Sequence, residues 1–221
     1  MLRGVHLLVG LAASLLLASG AARAADEEAA YTRIITERAE KIVEPLALDD
    51  GAKATRVRDL LVGQYRQLRE IHDARDARLA EAAESLGDPA MAEAWRSAVR
   101  KETDLKLFAL HRQFVARLEA ELKPEQVNQI KDGMTYGVVP ITYDRYLELL
   151  PELTVEQKAS IRAHLLEARE YAMDAGSAEE KHAIFGKYKG RINNYLSAAG
   201  YNLKQAEKDF AARQKATSST P

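Results

Sequence analysis

The sequence predicts an all-α protein: a long antiparallel helical hairpin packed with a bundle of shorter helices. Three observations carry this. Residues 50–85 and 89–122 both repeat apolar side chains at the spacing of a helix face. The clear punctuation between them is the short Gly87-Asp88-Pro89. Beyond them, the chain is divided by helix-entry and helix-exit signals.

A cleavable leader is expected at the start of the chain. Met1-Leu2-Arg3 supplies a positive start, and Val5 to Ala18 is apolar apart from His6, Gly10 and Ser14. Ala22-Arg23-Ala24 then places small residues where a signal peptidase reads them, so residues 1–24 are expected to leave by cleavage after Ala24. The apolar run falls short of the roughly 20 residues that span a bilayer, and no later stretch reaches that length. A periplasmic or secreted protein with no membrane span in its mature form is expected.

Residues 26–44 carry Ile34, Ile35, Ile42 and Val43 among charges, and Pro45 stops them. The first long helix, 50–85, aligns Val57, Leu60, Leu61, Leu68, Ile71 and Leu79. Asp88 can cap the second, and Pro89 suits its first turn. That helix presents Trp95, Val99, Phe108, Val115, Leu118 and Leu122. Two such helices joined by a short turn pack antiparallel. Shorter helices are expected over 124–132, 143–150, 155–175, 178–199 and 203–215. Thr154-Val155-Glu156-Gln157 and Ser177-Ala178-Glu179-Glu180 have capping-box form, and Gly200 suits a helix C-terminus. Leu122-Lys123-Pro124-Glu125-Gln126 echoes Leu153-Thr154-Val155-Glu156-Gln157, a pattern that helix-entry chemistry alone explains. Residues 217–221 form a polar tail. No linker divides 25–216, so one domain is expected.

Composition narrows function. Cysteine is absent, which removes disulfides, thiolate metal sites and a lipidated N-terminus. The 32 basic and 33 acidic residues nearly balance, without a long single-sign block. A nucleic-acid groove is therefore not expected.

Chemistry concentrates late in the chain. Seven of the nine tyrosines lie beyond residue 133. Lys131 to Tyr143 reads as an ordered loop, with turns at Gly133 and Gly137 and Pro140 stiffening its exit. Such a loop either carries binding function or crosses the core with its tyrosines packed. Further on, Phe185, Tyr188, Ile192 and Tyr195 form an apolar-aromatic stripe. Lys187, Lys189, Arg191, Asn193 and Asn194 are a dense set of donors beside it. Gly186 and Gly190 would admit a close approach. Aromatic faces with amides and cations suit sugars, and the cations suit uronate carboxylates; a solvated helix face uses the same residues. The expected ligand-binding set is Tyr136, Tyr143, Lys187, Lys189, Arg191, Asn193 and Asn194.

Catalytic patterns are thin. No carboxylate pair stands out for glycoside hydrolysis, no nucleophile elbow or phosphate loop occurs, and His72, His111, His164 and His182 are scattered. Arg75, Asp76 and Arg78 read as surface ion pairs. No catalytic residue, metal ligand or cofactor is assigned.

The segments Lys131-Asp132-Gly133-Met134-Thr135-Tyr136-Gly137-Val138-Val139-Pro140 and Phe185-Gly186-Lys187-Tyr188-Lys189-Gly190-Arg191-Ile192-Asn193-Asn194-Tyr195-Leu196 carry a resemblance. Together with Tyr31–Arg38 and Ile71–Asp76, they resemble a family of secreted bacterial proteins catalogued as a domain of unknown function. Its members are described as sugar-binding and occur with polysaccharide, particularly pectin, breakdown systems. The resemblance covers essentially the whole mature chain. It implies a non-catalytic protein whose partner is a carbohydrate, such as a pectic oligosaccharide, and brings no catalytic residues. Leu153-Thr154-Val155-Glu156-Gln157 is also similar to the Leu-Thr-x-x-Gln motif of small helical periplasmic chaperones, although Lys123 replaces the Thr in the first copy. A helical chaperone or scaffold is the alternative, followed by an enzyme on plant-wall glycans.

Overall fold

The computed structural model describes residues 6–85 and 87–218. Residues 1–5 of the expected leader and 219–221 of the expected tail lie outside the described residues. Among those described there are eight α-helices and one 3₁₀ turn, with no strand, as an all-α reading requires. None of these helices is long and apolar enough to cross a membrane. Contacts divide the chain into two compact units, 1–65 and 66–221.

The first unit holds α1 (His6–Val43), a 3₁₀ turn (Glu44–Leu46) and the start of α2 (Gly51–Ser85). Ile35, Ala39 and Val43, four residues apart, are buried on one stripe of α1. Ile34 lies off that stripe and is exposed. Pro45 converts the helix end into the 3₁₀ turn, and Ala47 closes it at a φ of 46°. Asp50 then accepts from the Ala52 N–H at 2.8 Å and opens α2, which buries Val57 and Leu61. The Tyr31 hydroxyl donates to the Tyr65 carbonyl (3.1 Å), and the Arg38 guanidinium lies over the Tyr65 ring.

The second unit begins in α2. Asp88 caps α3 (Pro89–Glu121), its Oδ1 accepting from the Ala90 and Met91 N–H groups. Pro89 takes the first position, where no N–H is needed. Trp95 Nε1 donates to the Arg78 carbonyl, and Arg78 pairs with Glu102 at 2.6 Å. These bonds set α3 beside the end of α2, as a hairpin requires. The buried face of α3 is Ala92, Val99, Leu110, Phe114 and Leu118. Trp95 and Phe108, expected on that face, are 41% and 61% exposed. The seam follows three- and four-residue steps that Phe108 misses, whereas Trp95 falls on them and lies at the rim, its Nε1 bonded to the Arg78 carbonyl.

Beyond these lie α4 (Pro124–Met134), α5 (Val138–Leu149), α6 (Val155–Met173), α7 (Ala178–Ala198) and α8 (Leu203–Ser218). The most extensive pairing is α6 with α7; α5 packs on α6, and α8 on α5. Ile161, Leu165, Ala168 and Ala172 of α6 meet Phe185, Tyr188, Ile192 and Leu196 of α7 in one core, which Val139 and Tyr146 extend. Tyr195, expected on this stripe, is 38% exposed, and Leu196 takes the inward position.

The expected loop from Gly133 to Tyr143 is almost entirely helix. Residues 135–137 reverse the chain, with Tyr136 at φ 59° and Gly137 at φ 65°. The Gly137 N–H donates to the Asp132 carbonyl (2.8 Å), and Thr135 Oγ1 donates to the Lys131 carbonyl. Pro140 sits in the first turn of α5, where its missing N–H costs no helical bond, so it starts a helix instead of stiffening a loop.

The entry signals act as their chemistry allows. Thr154 and Gln157 exchange both bonds of a capping box. Gln126 accepts from the Lys123 N–H, but an ammonium cannot accept in return, so the first copy is half a box. Gly200, at φ 93°, ends α7 and lets the Tyr201 N–H reach the Leu196 carbonyl.

Candidate functional site

Within the second unit, α2, α3, α6 and α7 border a cleft of about 1290 Å³. Glu167, Glu170 and Asp174 follow at three- and four-residue steps, with Tyr171 four after Glu167, so the face ending α6 turns all four toward it. Ile184, Lys187, Tyr188 and Arg191 do the same from α7, and Leu105, Phe108 and His111 from α3. His72 comes from α2.

One wall is a charged network. His111 Nδ1 lies 2.9 Å from Asp174 Oδ2, and its Nε2 lies 3.3 Å from Glu170 Oε2. Both ring nitrogens therefore donate, and the ring is an imidazolium whose pKa is pushed up to about 9 by its bonds to Asp174 and Glu170. Lys131 reaches the same Glu170 oxygen at 2.6 Å. Arg169, 4% exposed, bonds Asp132 (2.9 Å), Asn128 (2.7 Å) and Glu170 (3.3 Å). Burial works to raise the Glu170 pKa, but His111, Lys131 and Arg169 together outweigh it and hold the carboxyl down at about 2. Asp174 differs: burial pushes its carboxyl up, and His111 opposes this only in part.

His72, 6% exposed, sets its Nε2 2.7 Å from the backbone carbonyl of Asp174. A carbonyl only accepts, so Nε2 carries the hydrogen, and in the neutral ring Nδ1 is then an acceptor. That Nδ1 and Asp174 Oδ1 are both buried without a hydrogen-bond partner. Gly176 makes room for the ring, since a Cβ there would lie 2.8 Å from His72 Cγ.

The other wall is aromatic. Tyr171 is 60% exposed and stacks on Tyr188 at 6.4 Å between centroids. The Arg191 guanidinium lies 4.5 Å from the centre of the Tyr188 ring. Burial and then the neighbouring Glu167 carboxylate raise the Tyr188 pKa, which keeps its hydroxyl protonated.

Of the residues expected to bind ligand, Lys187 and Arg191 line this cleft. Tyr136 stacks on His182 at the α4–α5 reversal, and Tyr143 packs partly buried against the core. Asn193 accepts from the Tyr146 hydroxyl at 2.7 Å, while Lys189 and Asn194 are exposed elsewhere on α7. Gly186 and Gly190 have nothing within reach of an added Cβ, so neither admits a neighbouring backbone. His72, His111, Glu170 and Asp174 were absent from the expected set. The available signal was the four-residue spacing of Glu170 and Asp174, which puts both on one helix face.

The fold and cleft define an all-α helical protein with a concave site of aromatic and charged side chains. Residues 32–216 match the model of a family described as a protein of unknown function, DUF3826, and the chain belongs to that family. The resemblance drawn from the Gly-Tyr segments thus holds at the level of a domain of unknown function. No curated protein matches the chain.

Proposed function

We propose that this is an exported, non-catalytic carbohydrate-binding protein whose ligand lies in the cleft between α3, α6 and α7. The observation that supports this reading is the exposure of Phe108 and Tyr171 on the cleft, beside Tyr188, Lys187 and Arg191. Large rings left facing water in a concave site gain by covering, and the C–H face of a sugar covers them while its hydroxyls meet polar neighbours. The cations suit uronates, which makes a pectic oligosaccharide a reasonable partner and a polysaccharide-utilisation role its setting.

Calorimetry of the purified protein against pectic and neutral oligosaccharides tests this. Binding is expected, with losses of about tenfold or more in Tyr171→Ala and Phe108→Ala, since a buried aromatic contact contributes on the order of 1–3 kcal/mol. Absence of binding to every glycan at millimolar concentration removes the reading. Loss in Tyr136→Ala and Lys189→Ala, with the cleft variants unaffected, moves the ligand to the surface around those residues.

A separate observation favours the chaperone alternative. Leu105 and Phe108 are 70% and 61% exposed on the concave side, an apolar surface on which an unfolded client could rest. That reading requires suppression of client aggregation, lost in Leu105→Ser together with Phe108→Ser.

A further inference from the structure

Each wall of the cleft is polar in its own way. Along α7 the lining residues run from Glu180 to Arg191, eleven steps of about 1.5 Å, or roughly 16 Å. Lys187, Tyr188 and Arg191 occupy one end. At the other, Glu180 faces the part of α6 that carries Asp174, and His72 is bonded to the Asp174 carbonyl.

At this second end the charged donors of the α6 wall are already engaged. His111 commits both N–H groups to Asp174 and Glu170, and Arg169 and Lys131 are engaged by Asp132, Asn128 and Glu170. The Gly176 N–H is taken by Glu180 Oε2 at 2.7 Å. Beside them stand two buried side-chain atoms without a partner, His72 Nδ1 and Asp174 Oδ1. A buried acceptor without a donor costs about 1–3 kcal/mol, and buried polar groups in folded proteins are nearly always paired. A group that brings hydroxyl hydrogens recovers that cost; a carboxylate brings none and meets a carboxylate.

We infer that His72 Nδ1 and Asp174 Oδ1 form a hydroxyl-reading subsite, which takes O–H donors of a neutral sugar unit and refuses a carboxylate. The inference rests on the carbohydrate reading of the cleft and gives the ligand a direction. Its neutral unit lies at His72 and Asp174, and any acidic unit lies toward Lys187 and Arg191.

The test compares a neutral probe, galactotetraose, with an acidic one, trigalacturonate, by calorimetry on wild type, Asp174→Asn, His72→Phe and His72→Gln. Asn at 174 keeps an oxygen for His111 but turns the free acceptor into a donor. Galactotetraose affinity should fall about tenfold or more in Asp174→Asn, the size expected for one hydrogen bond to a charged group, while trigalacturonate is unchanged or tighter. A loosened fold would weaken both probes alike. His72→Phe should weaken galactotetraose. His72→Gln, which can still donate to the Asp174 carbonyl and keep an acceptor, should restore it to within about threefold of wild type. If wild type binds neither probe nor any other glycan, the carbohydrate reading fails and the inference with it. If wild type binds galactotetraose and Asp174→Asn binds it equally well, water satisfies these acceptors and the inference alone is overturned. Equal weakening of both probes in Asp174→Asn overturns it as well.

Discussion

His111 Nδ1 of α3 donates to Oδ2 of Asp174, the residue that caps the end of α6, across 2.9 Å, which places an imidazolium against a mostly buried carboxylate. The His111 pKa is raised from 6.5 to about 9, so the protonated ring stabilises the fold. For a raised histidine this contribution is complete below about pH 6.5 and is lost as pH rises through about 9. Asp174, raised by burial, offsets part of it. Between pH 7 and pH 10 the unfolding free energy should therefore fall more in wild type than in His111→Gln, by on the order of 2 kcal/mol. Urea unfolding at the two pH values measures this. Equal slopes in both proteins would show that His111 does not bear the charge.

Gly176 should resist even the smallest side chain. Its φ carries no left-handed demand, so the obstacle is the His72 ring, 2.8 Å from an added Cβ. Gly176→Ala must push that ring away and strain its bond to the Asp174 carbonyl. A loss of about 1–3 kcal/mol is expected, comparable to leaving a buried polar group unpaired. In His72→Ala the obstacle is gone, so adding Gly176→Ala to it should cost little. A double-mutant cycle in denaturant gives the coupling directly.

Most of the fold was legible because its boundaries are written in side chains that act locally. Asp88 with Pro89, Thr154 with Gln157, and Gly200 each satisfy backbone groups within a few residues, so sequence alone locates them. The α4–α5 reversal was misplaced because Pro140 reads the same at a loop exit and inside a first turn. The site was harder. Lys187 and Arg191 were found from density of donors on one helix, but His72, His111 and Asp174 come from three helices. Nothing within 33 acids and five scattered histidines marks these as the buried ones. Phe108 misled for the opposite reason: its spacing nearly fits the core stripe, and only the packing of α3 turns it into the cleft.

Gly186 and Gly190 make a prediction of the opposite sign to Gly176. Both lie inside α7 with open space where a Cβ would stand, and neither has a positive φ. Alanine at either position should stabilise the protein by about 0.5–1 kcal/mol through helix propensity alone. Thermal melts of each variant check this. The same variants bear on the ligand: a glycan that needs bare backbone at these positions would lose affinity while stability rises.

Arg169 is the residue whose loss should cost most for its size. Its guanidinium is buried and holds Asp132, Asn128 and Glu170, tying α4 to α6. Removing it strands Asp132 and takes one of three cations from Glu170, and breaking a buried ion pair costs about 3–5 kcal/mol. Both carboxylates are about a third exposed, at 29% and 34%, so solvent reclaims part of that and about 3 kcal/mol is expected for Arg169→Ala. The loss has a pH signature. Glu170 is held at about 2 in the fold against 4.5 ordinarily, a depressed carboxylate whose stabilisation is present above about pH 4.5 and lost as pH falls toward 2. Without Arg169 its pKa should rise, and the variant should lose less of its remaining stability on acidification than wild type does. Urea titrations at pH 6 and pH 3 read both quantities. An Arg169→Ala protein as stable as wild type at pH 6 would mean that these charges are not organised around the guanidinium.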